Sequence, residues 1–413
     1  MSDSKATPSP DPLIPLRSRT NSPTQDVDYD VSESEDSDDE FSRRPRIPYV
    51  KGFTFSAQQH APPDPFGRDY DTEYPPAQEN WKALSQTHYC LSCPPREGQI
   101  YPEESRTLTI TSTIRSGYDR GAQLVVVDNS MVAKIYDPLY YADTDAWGSK
   151  EDVVHNADCD YSREAAAYIQ LQKSQAARDV TPAFYGTWTI EVETLVGKIG
   201  QQKPHKRHVR FILMEWLRGE TMCNIRPVFL RRPVRSLILK KALHAEAIIS
   251  TAGLIHRDFC PRNIIVLGDN YDAEISVKDI RIKVKVFDFN ISTVIDHPRY
   301  ELHDYAIEAE LFRAKWHPRI ESPIIGYFGH MNEFCCPGWC SDEDMGPEKW
   351  LWKHFHNDPR FIPVIWDPNN PDKDPSYADR ASLKDGSDSG FSSGGEVKEE
   401  GERSSESDSA QNT

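Results

Sequence analysis

Gly253-Leu-Ile-His-Arg-Asp-Phe-Cys-Pro-Arg-Asn-Ile-Ile-Val266 sits between a stretch with helical spacing, 236–251, and a short apolar run, 264–267. Apolar residues Leu239, Leu243 and Ala247 recur at helical intervals before it, and the β-branched Ile264, Ile265 and Val266 follow it. Residues 256–263 are therefore expected to form a loop that joins a helix to a strand. The loop carries one acid, Asp258, and one amide, Asn263, five positions later. A hydrogen-bonded corner would use such residues, and so would a chemical site.

Working outward, Val286-Phe-Asp-Phe-Asn290 ends a second strand, 282–287, and sets Asp288 at its edge. Upstream, Leu108-Thr-Ile-Thr-Ser-Thr-Ile114 alternates as a half-buried strand does. Leu124-Val-Val-Val127 and Met131-Val-Ala-Lys-Ile135 read as two more strands around the turn pair Asp128-Asn129. A helix is expected over 164–173, rich in Ala and Leu, with Ser162 as its N-cap. Strands at 184–192 and 209–217 complete this half. Strands with one helix, then helices with a short hairpin, imply two lobes.

His256-Arg257-Asp258 with Asn263 resembles the catalytic loop of the protein-kinase-like superfamily. The resemblance implies that Asp258 is the base beside the attacking hydroxyl, with His256 in the catalytic set. It implies that Asn263 and Asp288 bind magnesium, Asp288 standing in a motif like the family's Asp-Phe-Gly with Asn290 in place of glycine. Asn tolerates left-handed backbone, which lets the turn survive. Val132-Ala-Lys-Ile135 is similar to the third-strand motif, so Lys134 is expected to reach the ATP phosphates. Glu164 is expected to hold Lys134, with a capping role near the helix start as the plain alternative. Phe211-Ile-Leu-Met-Glu-Trp-Leu217 resembles the hinge, with Met214 as gatekeeper and Glu215 to Leu217 offering backbone groups to adenine. Lys134, Glu164, Glu215, Asp258, Asn263 and Asp288 follow the family's order, over roughly residues 106–295.

Several features depart from the pattern. Gly117-Tyr-Asp-Arg-Gly121 lacks the usual three-glycine rhythm, although Gly117 and Gly121 can still let backbone amides approach phosphate. Cys260 and Arg262 mix the marks of two substrate classes. Residues 268–280 widen the gap between the two aspartates and read as an elongated hairpin. No Ala-Pro-Glu stretch follows Asn290, so Arg257 has no obvious activation-loop phosphate to answer. Residues 296–371 hold Trp316, Trp339, Trp350, Trp352 and Trp366 and read as a divergent cap. The whole is similar to the divergent kinase-like proteins common in filamentous fungi, alongside the aminoglycoside and choline phosphotransferase branch.

Composition bounds the rest. Of 413 residues 38% are hydrophobic and 31 are proline, which suggests a core with disordered additions. Residues 1–45 and 372–413 each hold 11 acidic and 5 basic side chains, so the ends carry −12 of the formal −17 and leave −5 on 46–371. The body is only mildly acidic, which argues against a nucleic-acid surface. No apolar run is long enough to span a membrane, and no apolar leader opens the chain. Ser34 and Ser37, set among acids, suit an acid-directed kinase, while a solvated tail is the plainer reading. Cys90, Cys93, Cys335, Cys336 and Cys340 allow a four-thiolate zinc site on paper, with free buried thiols the preferred reading.

The expectation is thus an α+β, two-lobed protein-kinase-like fold, its N-lobe an antiparallel sheet with one main helix and its C-lobe mainly helical. Its parts are an acidic tail (1–45), a loosely structured segment (46–105), an N-lobe (106–217), a C-lobe (218–371) and a second acidic tail (372–413). The expected activity is transfer of phosphate from ATP with Mg2+ to a protein hydroxyl, or to a small molecule, in the cytoplasm or nucleus. A pseudokinase scaffold is the alternative.

Overall fold

The computed structural model describes residues 44–70, 80–197, 201–268, 281–300, 319–340, 346–370 and 373–378. All of these fall in one compact unit, Glu40–Thr413. The chain begins with β1 (Thr54–Ala61), α1 (Gln86–Ser92), β2 (Gln99–Arg115), β3 (Gln123–Val127) and β4 (Met131–Tyr136). Next come α2 (Val153–Leu171), α3 (Gln175–Val180), β5 (Phe184–Val196) and β6 (Lys203–Glu215). The second half holds β7 (Glu220–Thr221), α4 (Arg232–Thr251), β8 (Leu254–Ile255), β9 (Ile264–Leu267), β10 (Lys283–Val286) and β11 (Thr293–Val294). Short elements follow: α5 (Pro323–Tyr327), α6 (Asn332–Cys335), α7 (Pro347–Phe355), β12 (Val364–Ile365) and β13 (Ser376–Tyr377).

Six antiparallel strands close on themselves in the order β1-β2-β3-β4-β6-β5. Closure comes from β1, which pairs with β2 through Phe55↔Leu108 and with β5 through Ala57↔Ile190. A closed sheet has no free edge strand, and β1 is paired on both sides across Ala57, Gln58 and Gln59. The Asp128-Asn129 turn between β3 and β4 has both residues left-handed, at φ 50° and 57°, as a tight hairpin demands. The register places Leu124 opposite Lys134 and Lys134 opposite Ile212.

Three expectations need correction. The segment 46–105 is built into the sheet: it supplies β1, α1 and the start of β2, and buries Tyr49 and Phe55 in the core. The Gln58-Gln59-His60 run hides β1, because its polar side chains lie on a strand whose pairing, more than its burial, holds it. The helix starts near Val153, capped by Asp152 accepting from the His155 amide, and Ser162 lies buried inside it. Its first turns carry His155, Asn156, Asp158 and Asp160, which mask the helical period. Finally, Ser376–Tyr377 pairs with Val364–Ile365, so order continues past residue 372.

Apolar burial forms two clusters. One gathers the barrel, α1, α2 and the end of α4 around Val125, Ile135, Tyr168 and Phe211. The other joins α4, β9, β10 and the C-terminal helices around Leu239, Leu243, Trp339 and Trp350. Trp352 packs against it and Trp366 meets Trp352 at its edge, whereas Trp316 lies outside the described residues. The expected hairpin from residue 269 on, most of both acidic tails (1–43 and 379–413), and Ser34 and Ser37 also lie outside them. Cys335 and Cys340 are disulfide-paired with Cα atoms 5.0 Å apart, which corrects the free-thiol reading there; Cys90 and Cys93 are free and buried in the other cluster. No described helix is long and apolar enough to cross a membrane.

Candidate active site

Two small ribbons set the two conspicuous loops side by side. Residues 256–263 run from β8 to β9, and residues 287–292 run from β10 to β11. β9 pairs with β10 through Ile264↔Val286, and β8 pairs with β11 through Ile255↔Thr293. Pinned at both ends, the loops also bond each other: the Phe287 amide donates to the Asn263 carbonyl at 3.1 Å, and the Ser292 hydroxyl to the His256 carbonyl at 3.1 Å. Asp258 and Asp288 are carried on these paired loops.

Asp258 is held through both carboxylate oxygens. The Asn263 side-chain amide donates to Oδ2 at 2.8 Å and to the Asp258 carbonyl at 2.9 Å, while Arg262 lies 2.5 Å from Oδ1. With its nitrogen committed there, the Asn263 amide turns its oxygen elsewhere. His256 is 1% exposed: Nε2 meets the Phe287 carbonyl at 3.2 Å, and Nδ1 accepts the Asp258 amide at 3.3 Å. Burial lowers its pKa and keeps the ring neutral, which suits one donor and one acceptor nitrogen. Its ring is thus buried between the two loops, bonded to Phe287 on one and to the Asp258 amide on the other.

Lys134, on β4, reaches across to both acids. Its Nζ contacts Glu164 Oε2 on α2 and lies 2.5 Å from Asp288 Oδ1. The Tyr136 hydroxyl donates to the same Glu164 oxygen at 2.7 Å, and Glu164 Oε1 is buried with no hydrogen-bond partner. A cap at the helix start is excluded for Glu164, which lies well inside α2. Burial alone would lower Lys134, yet the Asp288 and Glu164 carboxylates outweigh it and hold its ammonium above the ordinary lysine range. The acids divide. Burial, the largest influence, raises Glu164 against the pull of Lys134, whereas Lys134 and the nearby Arg115 overcome burial at Asp288 and lower it.

Asp288 itself is the left-handed residue of its loop, at φ 69°, where Asn290 was expected to take that role. Asn290 has a different job. Its side chain bonds the half-buried Asp160 on α2, and its carbonyl accepts Arg163 Nε at 2.8 Å. Glycine could make the carbonyl bond but not the side-chain bond, so the substitution ties the loop to α2.

The expected phosphate loop is occupied. The Gly117 amide donates to Gln123 Oε1 at 2.8 Å, and Gln123 Nε2 donates to the carbonyls of Gly117 and Gly121. Arg44 holds Asp119 at 2.7 Å, and the Tyr118 hydroxyl donates to the Pro45 carbonyl. The Gly117 amide is therefore spent inside the turn, against expectation. At the expected hinge, the amides of Glu215 and Trp216 donate to the Ala183 and Ser130 carbonyls. The Glu215 carboxylate accepts from the Ala183 amide and pairs with Lys285 at 3.4 Å. Met214 is buried under the Tyr168 hydroxyl, and Leu217 is half-buried.

Sequence reasoning missed Tyr136, Arg115, Asp160 and Asp69. Arg257, with no evident phosphate to answer, pairs with Asp69 at 2.7 Å. Tyr136 had a signal, since it stands two positions from Lys134 on the same strand face; the others had none.

A buried cation between two acids, beside an oriented carboxylate and an amide oxygen, can grip an anionic substrate, hold a hard cation and accept a proton. Asp288 and Asn263 offer the oxygen donors that magnesium takes. Among the described residues no group of three His, Cys, Asp or Glu forms a metal cluster.

No family model matches the chain, and no curated protein does. Solved structures with partial likeness include WbdD, at 15% identity and a TM-score of 0.28, over 46% of this chain and 34% of that one. Another is the BubR1 kinase domain, at 12% identity and a TM-score of 0.32, over 55% of this chain and 60% of that one. The chain thus spans 34% and 60% of these two structures. Likenesses this slight carry no weight of their own.

Proposed function

We propose that this chain is a kinase-like phosphotransferase that moves the terminal phosphate of ATP, with magnesium, to a hydroxyl. The observation that carries the reading is the Lys134 ammonium held between Glu164 and Asp288, beside loops that present Asp258 and Asn263. In this reading the barrel with α2 is one lobe and the mainly helical second half is the other.

Asp258 accepts the proton of the acceptor hydroxyl, its carboxylate oriented by Arg262 and Asn263. Asp288 and the Asn263 amide oxygen hold magnesium, which neutralises phosphate charge when bound. Lys134, which Glu164 keeps in place, would meet the phosphate oxygens. The described residues lend no dedicated cluster of acids, so substrate oxygens and water would have to supply the remaining ligands, as is usual for magnesium.

The acceptor is proposed to be a protein hydroxyl, because His256-Arg257-Asp258 follows the protein-kinase form; a small molecule is the second choice. The proposed location is the cytoplasm or nucleus. A non-catalytic scaffold is favoured by one observation, the Gly117 amide spent on Gln123. ATP labelled in its terminal phosphate, incubated with the full chain with and without magnesium, separates the readings. Magnesium-dependent label transfer supports the enzyme, and its absence with every acceptor tried supports the scaffold.

A further inference from the structure

Residues 62–70 leave β1 and cross to the candidate site. Phe66 is 1% exposed, with its ring against His155 on α2 and the Arg96 guanidinium over its face at 3.8 Å. Gly67, at φ 76°, passes so close to α2 that a Cβ there would lie 3.0 Å from Cys159 Sγ. Asp69 then places one carboxylate oxygen between two loops: Oδ2 lies 2.7 Å from the Arg257 guanidinium and accepts the Thr293 hydroxyl at 2.6 Å. The next residue adds a third tie, since the Tyr70 hydroxyl accepts the Val294 amide at 2.7 Å. Asp64 reaches Arg299 at 3.4 Å further along.

These contacts fall at telling places. Arg257 immediately precedes Asp258 and holds a left-handed backbone at φ 63°, a conformation that a non-glycine residue keeps only when its surroundings enforce it. Thr293 and Val294 end the loop that contains Asp288, whose own φ is 69°. One short strap thus grips α2, which bears Glu164, and the flanks of both acid-bearing loops.

We propose that Asp69 is a positioning residue for phosphoryl transfer: through Arg257 and Thr293 it fixes Asp258 and Asp288 relative to each other, using an anion that the chain itself supplies. The proposal rests on the phosphotransferase reading for its chemistry and on geometry alone for the positioning. The site is therefore assembled without any added phosphate or partner. Loss of Asp69 leaves Arg257 without its carboxylate and frees the peptide before Asp258 to leave the left-handed region.

The test uses the full chain with Asp69→Asn, Arg257→Gln and the double variant, read in two ways. Amide hydrogen exchange should quicken about tenfold or more across 254–263 and 289–295 in Asp69→Asn, while 203–215 in the barrel stays within about twofold. Phosphate transfer should fall about tenfold or more in kcat with KM for ATP within about threefold, and the double variant should be no slower than the slower single one. Should Asp69→Asn fail to fold, Thr293→Val, which removes one donor and keeps the ion pair, should quicken exchange in 289–295 by a smaller factor. Unchanged exchange in both loops overturns the proposal, as does a double variant whose loss is the product of the single losses. If the parent chain transfers no phosphate, the phosphotransferase reading fails, and exchange alone then decides whether Asp69 positions the loops.

Discussion

Lys134 and Asp288 stand 154 positions apart in the chain and meet with Nζ 2.5 Å from Oδ1, while Glu164 takes the same ammonium from the other side. The Lys134 and Glu164 side chains are 5% and 0% exposed. An ion pair this dry stabilises only while both members are present.

Lys134→Met should therefore destabilise the fold by about 3 kcal/mol at neutral pH, since it strands a buried carboxylate. The loss should be pH-dependent. Burial already raises Glu164, and without Lys134 its folded value rises further above the unfolded one. Protonated Glu164 is then the form the fold prefers, so the variant should regain stability as pH falls from neutral toward the ordinary carboxylate range. Melting temperatures across that range check this, and a deficit that stays constant with pH would argue that Glu164 is not stranded.

Asp288→Asn should leave the free protein close to the parent in stability, because Asn tolerates the left-handed backbone found there. It should abolish the part of the melting-temperature rise that needs magnesium as well as ATP. A variant that keeps the full magnesium-dependent rise would remove Asp288 from the metal site.

Glu246, on α4, offers a second pH test away from the site. Burial first, then the neighbouring Glu321, pushes its pKa up to about 8. An acid raised in the folded state contributes stability below its unfolded value, near 4.3, that is lost as pH climbs through the folded one. Stability should thus decline between about pH 5 and about pH 8 by more than about 1 kcal/mol, and Glu246→Gln should flatten that slope. Urea midpoints at both ends of the range give the answer, and an equal slope in both proteins contradicts the assignment.

Much of the site was legible because its residues sit in short, sharply bounded motifs. The loop from His256 to Asn263 ends in β9, which matches residue for residue, although the short β8, which was not foreseen, stands between it and the helix. Lys134 lies on the strand foreseen for it, and Glu164 meets it. What escaped notice depends on partners distant in sequence. Asp69 lies in a Pro-rich stretch with no period, and only the fold brings it to Arg257, 188 positions away in the numbering. β1 is polar in its second half, so pairing with β2 and β5 defines it where burial pattern cannot. The Gly117 turn misled for the same reason: a glycine pair signals freedom, but Gln123 decides where the amide points.

The corrected boundaries make a further prediction. Tyr49 is fully buried, Arg44 holds Asp119, and Tyr377 pairs in β13. A fragment 44–378 should melt within about 1.5 °C of the full chain, a shift that corresponds to about 1 kcal/mol at this size. A fragment 106–371, which lacks β1 and β13, should aggregate. Equal melting of both fragments would mean that barrel closure contributes little.

The most direct test of the account compares phosphate transfer by the parent chain and by Asp258→Asn, with terminally labelled ATP and magnesium. Asn is nearly isosteric and can keep the contacts with Arg262 and Asn263 only in part, while the proposed reading assigns the hold on ATP elsewhere, to Lys134 and Asp288. The account predicts ATP affinity within about threefold of the parent and transfer slower by about a hundredfold or more. Transfer at the parent rate by Asp258→Asn would contradict it.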